Sequence, residues 1–204
     1  MEIKTIGVIG AGQWGRQIAC AALLGGFRTI LEDVSSNVLE RGISRIRQSL
    51  DESVARGQLT LEQKNTASMK LSTANRADEV CRDADMLIDT VPEEMEVKLE
   101  IFTIFDKFAK PEAILASHTA LSITEIAAIT FRTENCVGMR FVDRGPEKTI
   151  LEIVRGADTS DATVAACVNV GHQMGMETLV TRDETEHIAD DHATARFRPN
   201  GVSE

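Results

Sequence analysis

The feature that leaves this chain the fewest folding choices is a glycine spacing. The β-branched run TIGVIG passes directly into GAGQWG, setting Gly10, Gly12 and Gly15 in GxGxxG order between a strand pattern and a helix pattern. In that context the first glycine permits a tight turn, the second lets the backbone approach a pyrophosphate, and the third lets the helix pack on the strand. The helix N-terminus adds unpaired N–H donors and a partial positive charge. A bare GxGxxG is as often a turn that binds nothing, but here an acid agrees with the glycines. Asp33, 18 residues after Gly15 and at the end of the second strand pattern, is placed to hold ribose hydroxyls and to repel a 2′-phosphate, so NAD is expected over NADP. Gln13 and Trp14, inside the loop, join the glycines as expected cofactor contacts. Glu32 beside Asp33 leaves open which acid points inward, and Arg28 is poorly placed to neutralise a 2′-phosphate.

The rest of the chain repeats the same alternation of short apolar runs and helical periods, the signature of βαβ units. Strands are expected over residues 5–9, 28–31, 86–91, 113–117, 136–141, 149–154 and 177–181. Helices are expected over residues 13–24, ended by Gly25 and Gly26, and over 93–110, ended by Pro111. Residues 36–72 read as one helical excursion, with Thr60 and Gln63 spaced as a capping box. Two more helices begin at Ser122 and Ser160. The fold expected is an α/β, doubly wound Rossmann-type sheet, mostly parallel with helices on both faces, over residues 1–182. Residues 183–204 read as a polar, frayed tail.

At 204 residues the chain is long enough for one domain and short for the two that a dehydrogenase with a separate substrate half needs. Against 22 basic residues stand 32 acidic ones, which disfavours nucleic acid as a partner. No apolar run approaches bilayer length and no leader pattern precedes the first strand, so no membrane partner and a cytoplasmic location are expected. The oligomeric state is left open. Cys20, Cys81, Cys136 and Cys167 are widely spaced with no CxxC pair, so no metal site is expected and the thiols read as reduced apolar fillers.

The segments IGVIGAGQWGRQIA, LEDVSSNVLERG, ADMLIDTVPEEMEVKLEIF, AILASHTALSITEIA, VGMRF and LEIVRGADTSDATV resemble, in order and spacing, the NAD-binding domain of the L-3-hydroxyacyl-CoA dehydrogenase family. The resemblance implies that Val91 and Pro92 line the nucleotide and that Glu93 and Lys98 approach the nicotinamide-side ribose. A plainer reading of the last two is a charged first helical turn, with Glu94 and Lys98 as a surface pair. It also implies hydride removal from C3 of a 3-hydroxyacyl-CoA-like thioester, with a His base taking the hydroxyl proton and a Glu orienting that His.

The catalytic position departs from the family pattern. A family segment like GLHF is here Gly138, Met139, Arg140 and Phe141, so the base has become Arg140, whose guanidinium cannot accept a proton near neutral pH. Glu152 matches the orienting Glu and is expected to form a salt bridge with Arg140. A segment like SNTSSLSIT appears as SHTALSIT, putting Ala120 or a gap at the substrate-contacting Ser and His118 at an Asn that approaches the nicotinamide. Asp143 stands for an Asn after the base. The last strand should lead into a segment like SPGFVVNR and a helical domain, where this chain has Asp183, Glu184 and Thr185. Three functions follow. One is an NAD-dependent 3-hydroxyacyl-CoA-type oxidoreductase; another is a non-catalytic NAD(H)-binding or regulatory module, a pseudoenzyme. The third is a dehydrogenase in which Arg140 polarises a carbonyl while His118 or water handles the proton.

Overall fold

The computed structural model describes residues 2–143 and 149–183. The expected tail, with His187 and His192, lies outside them except for Asp183. The chain opens with β1 (Thr5–Ile9), buried along its length, then α1 (Gln13–Leu24) and β2 (Arg28–Glu32). There follow α2 (Ser36–Ala55), α3 (Leu61–Met69), β3 (Leu71–Ala74), α4 (Ala77–Asp83) and β4 (Met86–Asp89). The second half holds α5 (Met95–Phe108), β5 (Ile114–Ser117), α6 (Ile123–Ala127), β6 (Cys136–Asp143), β7 (Thr149–Arg155), α7 (Asp161–Gln173) and β8 (Glu177–Arg182).

The strands form one sheet in the order β3-β2-β1-β4-β5-β6-β7-β8. Neighbours run parallel except β6 and β7. This is the doubly wound Rossmann-type arrangement expected from the sequence. β1 has β2 on one side and β4 on the other, so the winding reverses at its carboxyl end and opens a crevice there.

Alternation along each strand sorts the side chains onto two covered faces. Ile6 and Val8 of β1 pack with Ile18 and Leu23 of α1, Ile46 and Leu50 of α2, and Cys167 and Val170 of α7. Ile9, Ile30 and Leu87 pack on the other face with Val80 of α4, Phe102 and Phe105 of α5, and Ile126 of α6. Gly7, on the second face, lets α4 settle: a Cβ there would stand 2.4 Å from Val80 Cγ1.

The expected capping box is present, with the Gln63 amide donating to Thr60 Oγ1 at 3.1 Å and the Thr60 amide to Gln63 Oε1 at 2.8 Å. The helical excursion over residues 36–72 is two helices, the second starting at the box, followed by β3; β3 and α4 were unforeseen. β3 is an outer strand with partly exposed residues and one large apolar side chain, Leu71, so no hydrophobic run announces it. β4 stops at Asp89, two residues short of expectation, because the Thr90 hydroxyl turns to the carbonyls of Ile9 and Gly10 at 2.9 and 3.1 Å. Among the described residues no helix is long and apolar enough to cross a membrane. The four cysteines are free. Burial pushes the Cys167 thiol up to about 12, which suits a packing role over a nucleophilic one.

Candidate functional site

The crevice begins at the glycine turn. Gly10 sits at φ +98°, a left-handed conformation that other residues adopt only with strain. A Cβ on Gly15 would stand 1.8 Å from the Gly10 carbonyl oxygen, so only glycine lets α1 start where it does. A Cβ on Gly12 would meet nothing within 4 Å, so space stands open over the first turn of α1. That turn holds no acidic residue, and its leading amides lack intrahelical acceptors. An uncompeted row of N–H donors facing open space fits a pyrophosphate.

Asp33 closes the turn from β2. Its carboxylate accepts from the Ala11 amide at 2.9 Å through Oδ2 and from the Ser35 amide at 2.9 Å through Oδ1. Those bonds hold the acid at the carboxyl end of the sheet, and each oxygen keeps lone pairs for hydroxyl donors. Glu32 also turns inward, toward the α4–α5 face. It is 2 % exposed, and its Oε1 has no hydrogen-bond partner. Burial and the neighbouring Asp33 charge push its carboxyl up to about 7. A cleft of about 790 Å³ runs from Gly10 and Gly12 past Glu32, Asp33 and Val34 to Val91 and Pro92. A shallower hollow on α2 is lined by Glu40, Ile43, Arg47 and Asp51. It is the surface of a single helix and gathers no converging groups.

Beyond β4 the crevice is built on a buried ion pair. Lys98 and Asp89 side chains are both fully enclosed, with Nζ 2.9 Å from Oδ1. Lys98 also donates to the His118 carbonyl at 3.2 Å, and Ser117 Oγ donates to the other Asp89 oxygen. The surface pairing of Lys98 with Glu94 is therefore ruled out, and its ammonium reaches the site through neighbours: 3.8 Å away stands Glu93 Oε2. Glu93 lies ahead of α5, not within it, because its carboxylate receives the Thr119 hydroxyl at 2.7 Å and the Ala120 and Leu121 amides. Burial alone would raise its pKa, but those donors and Lys98 outweigh burial and hold it below the usual value. Glu93 thus ties the turn after β4 to the loop after β5.

His118 stands on that loop with its ring 4.6 Å from Trp14 and 6.0 Å from Phe141, centroid to centroid. Its Nδ1 lies 3.3 Å from both the Met139 carbonyl and the Phe141 amide. Burial first, and the Lys98 and Arg140 charges with it, lower its pKa despite the bond to Met139 and the Glu93 charge, so the ring is neutral at neutral pH.

Arg140 and Glu152 are register partners across the antiparallel β6–β7 pair. The guanidinium lies 3.5 Å from Glu152 Oε2, and its Nε donates to the Thr119 carbonyl at 2.7 Å. The second Glu152 oxygen accepts from Thr181 Oγ1 at 3.0 Å. Asp183 accepts from the Ser122 hydroxyl and the Thr124 amide, both at 2.7 Å. Asp143 closes β6 by its backbone. Among the described residues no group of three or more His, Cys, Asp or Glu could hold a metal ion.

The structure thus brings Gly10, Gly12, Gln13, Trp14, Gly15, Asp33, Val91, Pro92, Glu93 and His118 to one rim, with Arg140 and Glu152 at its far end. Two contributors escaped the sequence reading, Asp89 and Thr90, while Glu32 and Asp33, between which the sequence left the inward acid open, both line the cleft. An aspartate ending the apolar run MLID, nine residues before a lysine, was the available signal for the first.

Comparison with known proteins agrees with this geometry. Residues 5–184 match the family model described as 3-hydroxyacyl-CoA dehydrogenase, NAD binding domain. The chain is 39% identical over 182 residues to a 3-hydroxybutyryl-CoA dehydrogenase of Bradyrhizobium diazoefficiens, covering 89% of this chain and 62% of the relative. It is 34% identical to a probable 3-hydroxybutyryl-CoA dehydrogenase of Bacillus subtilis, covering 90% and 64%. The crystal structure of (S)-3-hydroxybutyryl-CoA dehydrogenase PaaH1 from Ralstonia eutropha superposes with a TM-score of 0.85 at 29% identity, covering 90% of this chain and 65% of that one. The chain therefore spans just under two thirds of the length of these relatives.

Proposed function

Since the chain belongs to the 3-hydroxyacyl-CoA dehydrogenase family, matching its NAD-binding domain over residues 5–184, we propose that Gly10, Gly12, Gln13, Trp14, Gly15 and Asp33 hold NAD(H) for an oxidoreductase acting on 3-hydroxyacyl-CoA-like substrates. The observation that carries the reading is the open space over Gly12, bounded by an acid-free helix start and by Asp33 tied to the Ala11 amide. Bound NAD supplies a hydride acceptor at its nicotinamide ring. Val91 and Pro92 wall the cleft, while Glu93 fixes the loop that carries His118. Trp14 and Phe141 flank His118 and set its ring at the rim.

Arg140 is the point at which the family chemistry is altered. Its nitrogens engage the Thr119 and Ala120 carbonyls and Glu152, and a guanidinium does not serve as a base near neutral pH. The pair fixes the loop after β5 against the sheet. A positioned base contributes on the order of a hundredfold or more to such a step. With NADH and acetoacetyl-CoA, Arg140→His is therefore expected to raise turnover by about a hundredfold over the unaltered chain. Equal rates in the two proteins would show that position 140 does not limit the reaction. Absence of turnover in both, with NADH bound, favours the second reading, a non-catalytic NAD(H)-binding module, which the pairing of Arg140 with Glu152 supports.

A further inference from the structure

Glu32 is the one charged side chain of the cleft whose burial the dinucleotide turn does not explain. Asp33 already closes that turn, and Glu32 follows Ile30 on the apolar α4–α5 face of β2. A carboxyl enclosed without a partner costs free energy unless something else satisfies it. Glu32 Oε1 has no hydrogen-bond partner among the described residues, yet Glu32 lines the cleft with Asp33 and Val34.

We propose that Glu32 reads the purine edge of the bound dinucleotide, accepting a hydrogen bond from the exocyclic amine of adenine. The inference rests on the cleft being the NAD site. With Asp33 tied to the Ala11 and Ser35 amides at the turn and assigned to the ribose in the proposed function, the base is the part of the ligand left for Glu32, and the exocyclic amine is its N–H donor. The lining suits a flat base, since Val34, Val91, Pro92, Ile101 and Ile104 all present apolar side chains to the cleft. Hypoxanthine would set a carbonyl oxygen against the carboxylate where adenine has its amine, and its edge donor moves to N1–H, out of line with an acceptor aimed at the amine.

The charged surroundings define how the preference responds to pH. Asp33 adjoins Glu32 on β2 and raises its proton affinity. From the approach to α4 come Arg76 and Asp78, paired with each other at 3.0 Å, and Cys81, whose thiol burial and the Asp78 and Glu32 charges push up to about 12. β1 presents Ile9 and Gly10, the β4–α5 turn Thr90, Val91 and Pro92, and α5 apolar side chains. Among the described residues no cation pairs with Glu32, and burial with the Asp33 charge pushes its carboxyl up to about 7. Above that range it is an acceptor only. Below it, the acid can donate to a purine oxygen and the distinction between bases fades.

The test is a titration of NADH and of reduced nicotinamide hypoxanthine dinucleotide, followed by Trp14 emission, at about pH 6 and about pH 8. The unaltered chain should prefer NADH by about tenfold at the higher pH, the size of one hydrogen bond to a charged group, and by much less at the lower. Glu32→Val should show no preference, and Glu32→Gln a small one that does not change with pH. Equal affinities in the unaltered chain at the higher pH, or a preference that survives in Glu32→Val, would overturn the proposal. If the variants do not fold, the two pH values of the unaltered chain decide. Failure of either dinucleotide to bind removes the cofactor site itself, a result distinct from binding without discrimination.

Discussion

Gly15→Ala is expected to destabilise the domain by about 3 kcal/mol or more and to weaken NADH binding by more than about tenfold. The added methyl would stand 1.8 Å from the Gly10 oxygen and 2.9 Å from both the Gly10 carbonyl carbon and Thr90 Oγ1. Two of those atoms are backbone, and Gly10 is held in turn by its amide bond to the Glu32 carbonyl at 2.9 Å. Relief therefore requires α1 to slide off the sheet, carrying the amides that face the pyrophosphate space. Gly12→Ala is the matched control: its methyl meets no atom of the described residues within 4 Å. It should leave the urea midpoint unchanged while lowering NADH affinity, because the methyl occupies ligand space. Equal stability of Gly15→Ala and the unaltered chain in urea would contradict the geometry of the turn.

Lys98→Met should cost about 3–5 kcal/mol near neutral pH, since it leaves Asp89 buried without its cation. The sign of the pH dependence follows. Burial already raises the Asp89 carboxyl above its usual value, against the opposing pull of Lys98 and Ser117. Losing Lys98 raises it further, and an acid whose folded pKa exceeds its unfolded one loses stability as pH climbs between the two. The deficit of the variant should therefore be smallest near pH 4, around the ordinary carboxylate range, and grow toward neutrality. Adding Asp89→Asn should recover much of the loss, because a neutral amide is cheaper to bury than an unpaired charge. Urea unfolding across that pH range checks both statements. A deficit that is flat with pH would mean that Asp89 is not ionised in the folded protein. The same variant should loosen Glu93 and the His118 loop, since Lys98 touches both.

What was legible beforehand tracks how local each signal is. GxGxxG, the capping box at Thr60 and the apolar strands are written in adjacent residues, and each is found, with β4 ending two residues early. β3 escaped because LSTA lies at the sheet edge and needs little apolar surface. α5 begins at Met95, later than read, because Glu93 is drawn off by amides 27 and 28 residues away. Lys98 shows the limit most clearly. Its spacing from Glu94 suits a surface pair, but its partner is set by the sheet, which places β4 beside β5 and so brings Asp89, Ser117 and the His118 carbonyl around one ammonium. Glu32 and Asp33 are adjacent in sequence, and only the pleat of β2 sends them to different duties. Arg140 opposite Glu152 was the exception, a long-range pair read from the family pattern and found in register.

The central claim is that the Gly10–Gly15 turn holds NAD(H), and the single tryptophan lies inside that turn. Titration of NADH against Trp14 emission, with energy transfer to the nicotinamide as the signal, tests it most directly. The account predicts saturable transfer that NAD competes away and NADP competes away more weakly, because an acid at the end of β2 would repel a 2′-phosphate. A folded protein that shows no saturable transfer at millimolar NADH, roughly the weak end of specific ligand affinities, would contradict it.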